Sequence, residues 1–474
     1  MVSAIIEKTM IIKYFILFLA KQIKRFLQLL NLSGGTAFPG LLVEKMYPQI
    51  LDDIAMNFSK KIILISGTNG KTSTTNTLVN IFENSEISVI SNYSGSNLKR
   101  GVISAYLDSL NNFGQFIGQN SVMVLEIDEG VLPQISEKIK PDTIILLNLF
   151  RDQLDRYGEI ENIRNTWINT LAKDMFINSK LIVNADDFLL SDIADSFQGE
   201  VLHFGIDDQL LSEKKENRIT EVSYCYCGNK IIHSVRYYDH IGKWQCSVCE
   251  NKRKTPDVLA TNISLSNNGI KFNLISNKDS RFFVASSLGL FSVYNTVAAF
   301  AALIKLGLDA EQISQAFDAN HQIFGRQEIF DINDRKINLF LVKNPAGLNQ
   351  VIDSLIHEQH QKINLLFALN SRIEDGKDVS WIYDADFESL ALNIGNLVVS
   401  GERRHDLALR FTIAGVNNFD IQENIKKSLS SIISKSEQGS NIYLLLTYSA
   451  MMDYRKYIAK ISGSKPFWHK LTNE

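Results

Sequence analysis

Gly67-Thr68-Asn69-Gly70-Lys71-Thr72 is the run of residues in this chain whose types and spacing best suit chemistry. Its two glycines let backbone N–H groups turn toward phosphate oxygens, and a helix starting just after them would add its positive end. Lys71 would then reach the β- and γ-phosphates of a nucleotide, and Thr72 would place its hydroxyl on Mg²⁺. Ser73 continues the turn, so Gly67, Thr68, Asn69, Gly70, Lys71, Thr72 and Ser73 are the expected phosphate contacts. The spacing is shorter than the general phosphate-loop pattern, so context carries the reading. The apolar run Lys61-Ile62-Ile63-Leu64-Ile65-Ser66 precedes it, and a helical pattern from Thr72 to about Asn84 follows.

A second candidate is Leu125-Glu126-Ile127-Asp128-Glu129-Gly130, which closes another apolar run. Taken alone, such carboxylates are ordinarily solvated loop residues. At the carboxyl end of a strand in a phosphate-loop sheet, however, Glu126 could hold the metal bound to a nucleotide. Asn148-Leu149-Phe150-Arg151-Asp152-Gln153-Leu154-Asp155 and Asn184-Ala185-Asp186-Asp187 follow two further runs in the same way. Each is weak alone, and together they would line one edge of a sheet.

The four cysteines form two close pairs, Cys225/Cys227 and Cys246/Cys249, with eighteen residues between the inner two. A secreted disulfide scaffold would spread its cysteines over a smaller chain. Four thiolates can instead close a tetrahedral Zn²⁺ site with no open position, which makes such a site structural. C-x-C in place of C-x-x-C lowers the specificity of the pattern, and buried free thiols or a redox pair are the alternatives. If all four bind zinc, no cysteine remains as a free nucleophile.

The elements that must position these residues read as α/β. Ile87 to Ile90, Ser121 to Ile127, Thr143 to Asn148 and Leu181 to Asn184 join the first run as strand candidates separated by helical stretches, the pattern of a parallel sheet covered on both faces. Residues 213–254 are polar, carry all the cysteines and read as an insertion. Residues 256–290 look like strands and turns, and Phe291 to Leu306 an alanine-rich helix. A composition shift near Asp331 to Arg335 marks a boundary, after which Ile363 to Ala368, Leu397 to Ser400 and Ile442 to Thr447 restart the α/β rhythm. The expected organisation is 1–52 as helix and linker, 53–330 as the nucleotide domain with its insertion, and 331–474 as a second α/β domain.

Length and composition set the bounds: 474 residues, 45% apolar, 21% charged and a net charge of -3 describe a globular chain with no global basic field for nucleic acid. Near the start, the apolar run Tyr14 to Ala20 is too short to span a bilayer and lacks a cleavage-site pattern. At about 100° per residue, Ile12, Ile16, Leu19, Ile23, Phe26, Leu27 and Leu30 share one face and Lys13, Lys21, Lys24, Arg25 and Gln28 the other, with Leu17 and Phe18 blurring the pattern. Such a basic amphipathic helix packs on its own domain or docks on a membrane surface or partner.

Gly67 to Thr72, Glu126, Asn148 to Asp155, Asn184 to Asp187, Tyr294-Asn295 and Gly325-Arg326 stand in the order seen in the Mur ligase family, which the chain resembles from about residue 35 onward. Within that family it is most similar to the MurT-type branch of lipid II isoglutaminyl synthases. The features specific to that branch are Glu126-Ile127-Asp128-Glu129-Gly130, the cysteine insertion, Lys343-Asn344-Pro345-Ala346-Gly347 and Asp375-Gly376-Lys377-Asp378-Val379-Ser380-Trp381. The chain departs from the family at Ser292, at Ser371-Arg372-Ile373-Glu374 and at Gln153. The resemblance implies a Mur ligase central domain with an inserted zinc ribbon and a C-terminal Rossmann-like domain. It implies an ATP-dependent carbon–nitrogen ligase using ATP and Mg²⁺, with Asn295 on the adenine, Arg326 on the phosphates and Asp378 acting in ammonia transfer. Asp378 read without the family would be a turn or helix-cap aspartate. The implied reaction amidates the α-carboxylate of D-glutamate in the lipid II stem peptide, with ammonia from a GatD-like class I glutamine amidotransferase, in the cytoplasm at the inner membrane face. The alternatives are an amino-acid-adding Mur or folylpolyglutamate-type ligase, a non-catalytic nucleotide-binding zinc-ribbon regulator, and a scaffold for the glutaminase.

Overall fold

A computed structural model describes residues 2–29, 37–58, 62–92, 96–152, 159–211, 223–266, 269–276, 279–285, 289–308, 313, 328–358 and 362–463. Gln153, Asp155 and Arg326 lie outside the described residues.

The first apolar run becomes strand β1 (Ile62–Ser66), buried along its whole length. Its side chains divide by twos, as a strand covered on both faces requires. Ile62 and Leu64 enter the core on one face, and Ile63 and Ile65 enter the core on the other. The other runs pair with it as β2 (Val89–Ser91), β3 (Val122–Glu126), β4 (Thr143–Leu146), β5 (Lys180–Asn184) and β6 (Glu200–Ile206). The order β6-β5-β4-β1-β3-β2 is parallel throughout. The chain leaves β1 toward β2 and later passes from β3 to β4 on the other side of β1. The topological switch therefore lies at the carboxyl ends of β1, β3 and β4, where open α/β sheets bind ligands.

The cysteine insertion interrupts this sheet. It contributes a separate antiparallel hairpin, β7 (Ile231–Tyr238) and β8 (Ile241–Cys246). The sheet then resumes with β9 (Val258–Ser266) parallel to β6, and closes with the antiparallel β10 (Gly269–Ser276) and β11 (Asp279–Ala285). The alanine-rich helix Leu290–Lys305 is buried along most of its length against helix Lys71–Asn84 and strands β5 and β6. Small side chains there allow close approach to both.

A second, six-stranded sheet follows in the order β12-β13-β17-β14-β15-β16. Its strands are β12 (Glu328–Ile332), β13 (Arg335–Leu341), β14 (Ile363–Ala368), β15 (Ile394–Ser400), β16 (Asp420–Ile421) and β17 (Asn441–Leu446). Only β12 is antiparallel to its neighbour. Two apolar clusters, one on each face, make it an α/β layer with its own core.

The N-terminal helix Val2–Leu29 docks, but not by the face that its periodicity predicts. Ile16, Leu17, Ala20 and Lys24 are buried, while Ile12, Leu19 and Phe26 are exposed. The reason is electrostatic. Lys24 donates to the Ser104 carbonyl at 2.6 Å and to Asp108 at 2.7 Å, and Lys13 pairs with Asp53 at 2.8 Å. These two lysines, placed by periodicity on the solvent side, have their partners in the domain.

Candidate active site

The turn after β1 is built by glycine. Gly67 has φ 137° and Gly70 φ 90°, backbone that side chains with a Cβ rarely adopt. Space imposes the same choice, because a Cβ on Gly70 would lie 2.1 Å from Asn295 Oδ1. Asn295, on helix Leu290–Lys305, therefore sits directly against the loop. Asn148 fixes the other side, accepting from the Asn69 N–H at 2.8 Å and donating to the Asn69 carbonyl at 3.0 Å. Thr68 Oγ1 accepts from the Phe150 N–H at 2.9 Å. Helix Lys71–Asn84 begins immediately afterwards, with Lys71 buried and Thr72 and Ser73 half-buried.

Lys71 donates to the Gly67 carbonyl and pairs with Glu129 at 2.9 Å. Burial alone would drive its ammonium toward neutrality. The carboxylates of Glu129, Glu126 and Asp128 outweigh that and hold its pKa above the ordinary lysine value. Glu129 shows the mirror effect: burial pushes it up, but Lys71 and Lys343 hold it below the usual carboxylate range. Glu126 is the last residue of β3, so the strand ends before Asp128 and the alternation that would separate the two carboxylates no longer applies. Asn92 braces Glu126 from below through its backbone, accepting from its N–H at 2.9 Å and donating to its carbonyl at 2.8 Å.

A pocket partly open to solvent lies over the loop. Asn69, Gly70, Ser73, Asn148 and Asn295 form its polar side, and Tyr238, Phe291, Tyr294 and Phe340 its aromatic side. The second sheet supplies one wall through Phe340, Leu341, Ala346, Gly347, Gln350 and Val351. Across this seam Asn344 donates to Asn69 Oδ1 at 3.2 Å, Lys343 pairs with Asp152, and Arg151 pairs with Asp384. Burial dominates Asp152 and raises its pKa even with Lys343 beside it.

The cysteine hairpin also reaches this cavity, through Tyr238 at its turn. Next to Tyr238, the buried His240 lies 3.0 Å from Asp187 and 3.1 Å from Asp239. Burial alone would lower its pKa, but the two carboxylates raise it to about 10. Asp186 accepts from Tyr294 Oη at 2.7 Å and pairs with Arg253, and Trp244 donates to the Ala185 carbonyl at 3.1 Å. At the far end of the hairpin, the sulfurs of Cys225, Cys227, Cys246 and Cys249 all lie within 4.8 Å of one another. Backbone N–H groups of Val248 and Cys249 donate to Cys246 Sγ at 3.4 and 3.3 Å, and Asn229 donates to Cys227 Sγ at 3.5 Å. Donors aimed at sulfur favour the thiolate, and the Asn229 hydrogen bond helps bring Cys227 down to about 6. Four converging sulfurs, two of them (Cys227 and Cys246) hydrogen-bonded so as to favour the thiolate, fit a tetrahedral soft-metal site.

Gly67, Thr68, Asn69, Gly70, Lys71, Thr72, Ser73, Glu126 and Asn295 are thus gathered at one sheet edge, and the four cysteines in a second cluster. Asp378 stands apart on the second sheet's side, exposed, where it accepts from the Ser380 N–H at 2.8 Å and from Ser380 Oγ at 3.0 Å. Those bonds, the backbone one first, lower its pKa, and Arg151 and Arg403 add to them. Locally it is a turn aspartate that bonds two residues ahead, and the Arg151 charge acts on it from the seam. Sequence reasoning assigned no role to Glu129, Lys343, Asp152, Tyr238 or His240. Glu129, Asp152 and Lys343 lie within runs that the sequence singles out, but no spacing signal couples residues 58 or 191 positions apart.

Two family models match the chain: the Mur ligase middle domain over residues 65–235 and the MurT ligase C-terminal family over residues 341–451. Among curated proteins, the lipid II isoglutaminyl synthase (glutamine-hydrolyzing) subunit MurT of Streptococcus pneumoniae is 32% identical over 434 residues, 90% of this chain and 93% of that protein. The Staphylococcus aureus subunit of the same name is 31% identical over 384 residues, 81% of this chain and 84% of that one. Among solved structures, a pseudomurein peptide ligase type C from Methanothermus fervidus superposes with a TM-score of 0.65 at 20% identity, covering 87% of this chain and 80% of that one. MurF from Acinetobacter baumannii superposes at 0.62 and 16% identity, covering 90% and 81%. The two structural likenesses speak for the fold.

Proposed function

The chain belongs to the MurT branch of the Mur ligase family, and on that premise we propose that it is the ligase subunit of a lipid II isoglutaminyl synthase. The reaction is ATP-dependent amidation of the α-carboxylate of D-glutamate in the lipid II stem peptide. ATP supplies the phosphoryl group and Mg²⁺ charge compensation. The loop from Gly67 to Ser73 cradles the phosphates, and Lys71 exchanges Glu129 for them as negative charge moves toward the γ-position. Thr72 and Glu126 would hold Mg²⁺, Asn295 would contact the base, and Arg326 would serve the phosphates.

Transfer to the carboxylate gives an acyl phosphate, a better electrophile than the carboxylate itself. Ammonia attacks its carbonyl carbon, the bond to phosphate breaks, and the surplus proton leaves the nitrogen. Asp378 takes that proton or orients the ammonia. The four clustered cysteines hold Zn²⁺ as a structural clip.

The observation that carries the choice of ammonia donor is the convergence of all four cysteines in one cluster. None is left over as the nucleophile that glutamine hydrolysis needs. Ammonia then comes from solution or from a separate subunit; the likeness to the MurT subunits favours a GatD-like class I glutamine amidotransferase, and a lipid-linked acceptor would put the reaction at the inner face of the plasma membrane. The test is acceptor-dependent ATP hydrolysis by the purified pair, with ammonia or glutamine set against free amino acids. Turnover with an amino acid and none with ammonia would favour an amino-acid-adding ligase instead.

A further inference from the structure

Helix Val2–Leu29 is docked with its apolar stripe outward. With Phe15 set at 0° and about 100° per residue, Ile11, Ile12, Phe18, Leu19 and Phe26 all fall within about 60° of it. These six side chains are exposed, Phe15 and Phe26 by 62% and 61%. The opposite side of the helix carries Lys13, Leu17, Ala20 and Lys24, and this is the side that faces the domain. The loop beside the helix extends the patch. Gly114 lies against Tyr14, Leu17 and Phe18, and its neighbour Phe113 is exposed. An exposed apolar surface of this extent marks an interaction site.

Charge says what kind of surface it meets. Residues 11–29 contain four cations and no acidic residue. Asp53 and Asp108 pair with Lys13 and Lys24 on the inner side. Lys21 and Arg25 fall at roughly 120° and 80° to one side of Phe15, bordering the stripe. A helix with aromatic and aliphatic residues on one face and cations along its border is built to lie in an anionic lipid interface. It does not cross one, because no described helix is long and apolar enough to span a membrane.

We propose that this helix is a lipid-docking surface: Phe15, Phe18, Leu19 and Phe26 enter the interface of an anionic phospholipid bilayer while Lys21 and Arg25 meet its phosphates. The proposal rests on the reading that the acceptor is lipid-linked.

The test is co-sedimentation of the full chain, with its glutaminase subunit, on phosphatidylglycerol vesicles and on phosphatidylcholine vesicles. The expected result is binding to the first and little to the second, weakened by salt. Phe15→Glu with Phe26→Glu should lower vesicle affinity at least tenfold, and Arg25→Glu should lower it without removing apolar contact. All three positions are exposed, so an unchanged melting temperature and unchanged nucleotide binding verify folding. Equal binding of wild type and the double variant, or no binding by wild type, overturns the proposal. So does a double variant that changes only the oligomeric state or the capture of the glutaminase, since the stripe would then be a protein interface. Amidation of a soluble stem-peptide analogue separates the two readings. If the analogue is amidated while vesicles are not bound, the docking proposal fails alone; if it is not amidated by any variant, the functional reading fails.

Discussion

Glu129→Ala should destabilise the empty protein and make it unusually responsive to nucleotide. Lys71 and Glu129 lie 2.9 Å apart with only 5% and 7% of their side chains exposed, so solvent screens the pair little. Removing one partner of a buried pair leaves an uncompensated charge and costs about 3–5 kcal/mol. Glu126 and Asp128 also act on Lys71, and the Gly67 and Thr68 carbonyls still accept from it. The lower end, about 3 kcal/mol, is therefore expected, or roughly a hundredfold in the equilibrium of the first unfolding transition. Nucleotide phosphates bring back the missing negative charge. Mg²⁺ with a non-hydrolysable ATP analogue should therefore raise the variant's transition midpoint by more than it raises that of wild type. Urea and thermal unfolding, each with and without the analogue, read both effects. A variant as stable as wild type when empty, or one that gains no more from nucleotide, would refute the idea that Lys71 exchanges Glu129 for phosphate.

Lys343→Ala should leave Asp152 buried without its cation and loosen the seam between the sheets. Lys343→Met with Asp152→Leu should recover most of that loss, as measured by a double-mutant cycle in unfolding. His240 has its pKa raised in the fold from 6.5 to about 10, so its ion pair contributes stability that is complete below about pH 6.5 and fades as pH rises through about 10. The stability gap between wild type and His240→Gln should be widest near pH 6, narrow between about pH 6.5 and pH 10, and be lost above pH 10. Cys246→Ser, or a chelator, should release the metal from the clip and also weaken nucleotide binding, because the same hairpin delivers Tyr238 to the cavity; nucleotide affinity unchanged on metal loss would contradict this. Asp378→Asn should cut amidation about a hundredfold or more while nucleotide binding stays intact, within the range of general acid–base contributions.

The parts legible in the sequence are those whose signal is local. Ile62 to Ser66, Thr143 to Leu146 and Leu181 to Asn184 are continuous apolar runs, and a strand buried on both faces leaves little other choice. Gly67 and Gly70 announced their turn because few other residues reach those φ values. The cysteine spacing foretold a cluster and the insertion that carries it. What stayed hidden depends on pairing over long separations. Glu129 meets Lys71 across 58 residues, and Lys343 meets Asp152 across 191. The N-terminal helix shows the opposite failure. Its periodicity was clear, but it could not say which face meets the domain; Asp53 and Asp108 pair with Lys13 and Lys24 on the inner side. His240 was invisible for the same reason, since its partner Asp187 follows a strand 53 residues earlier.

The most direct measurement combines the purified chain, its glutaminase subunit, lipid II, ATP and Mg²⁺ with nitrogen-15-labelled glutamine, followed by mass analysis of the stem peptide. The expected product carries one labelled amide on the α-carboxylate of D-glutamate, and none forms with Lys71→Ala. A stem peptide that remains a free α-carboxylate while ATP is consumed, or label that appears at another position, would contradict the assignment.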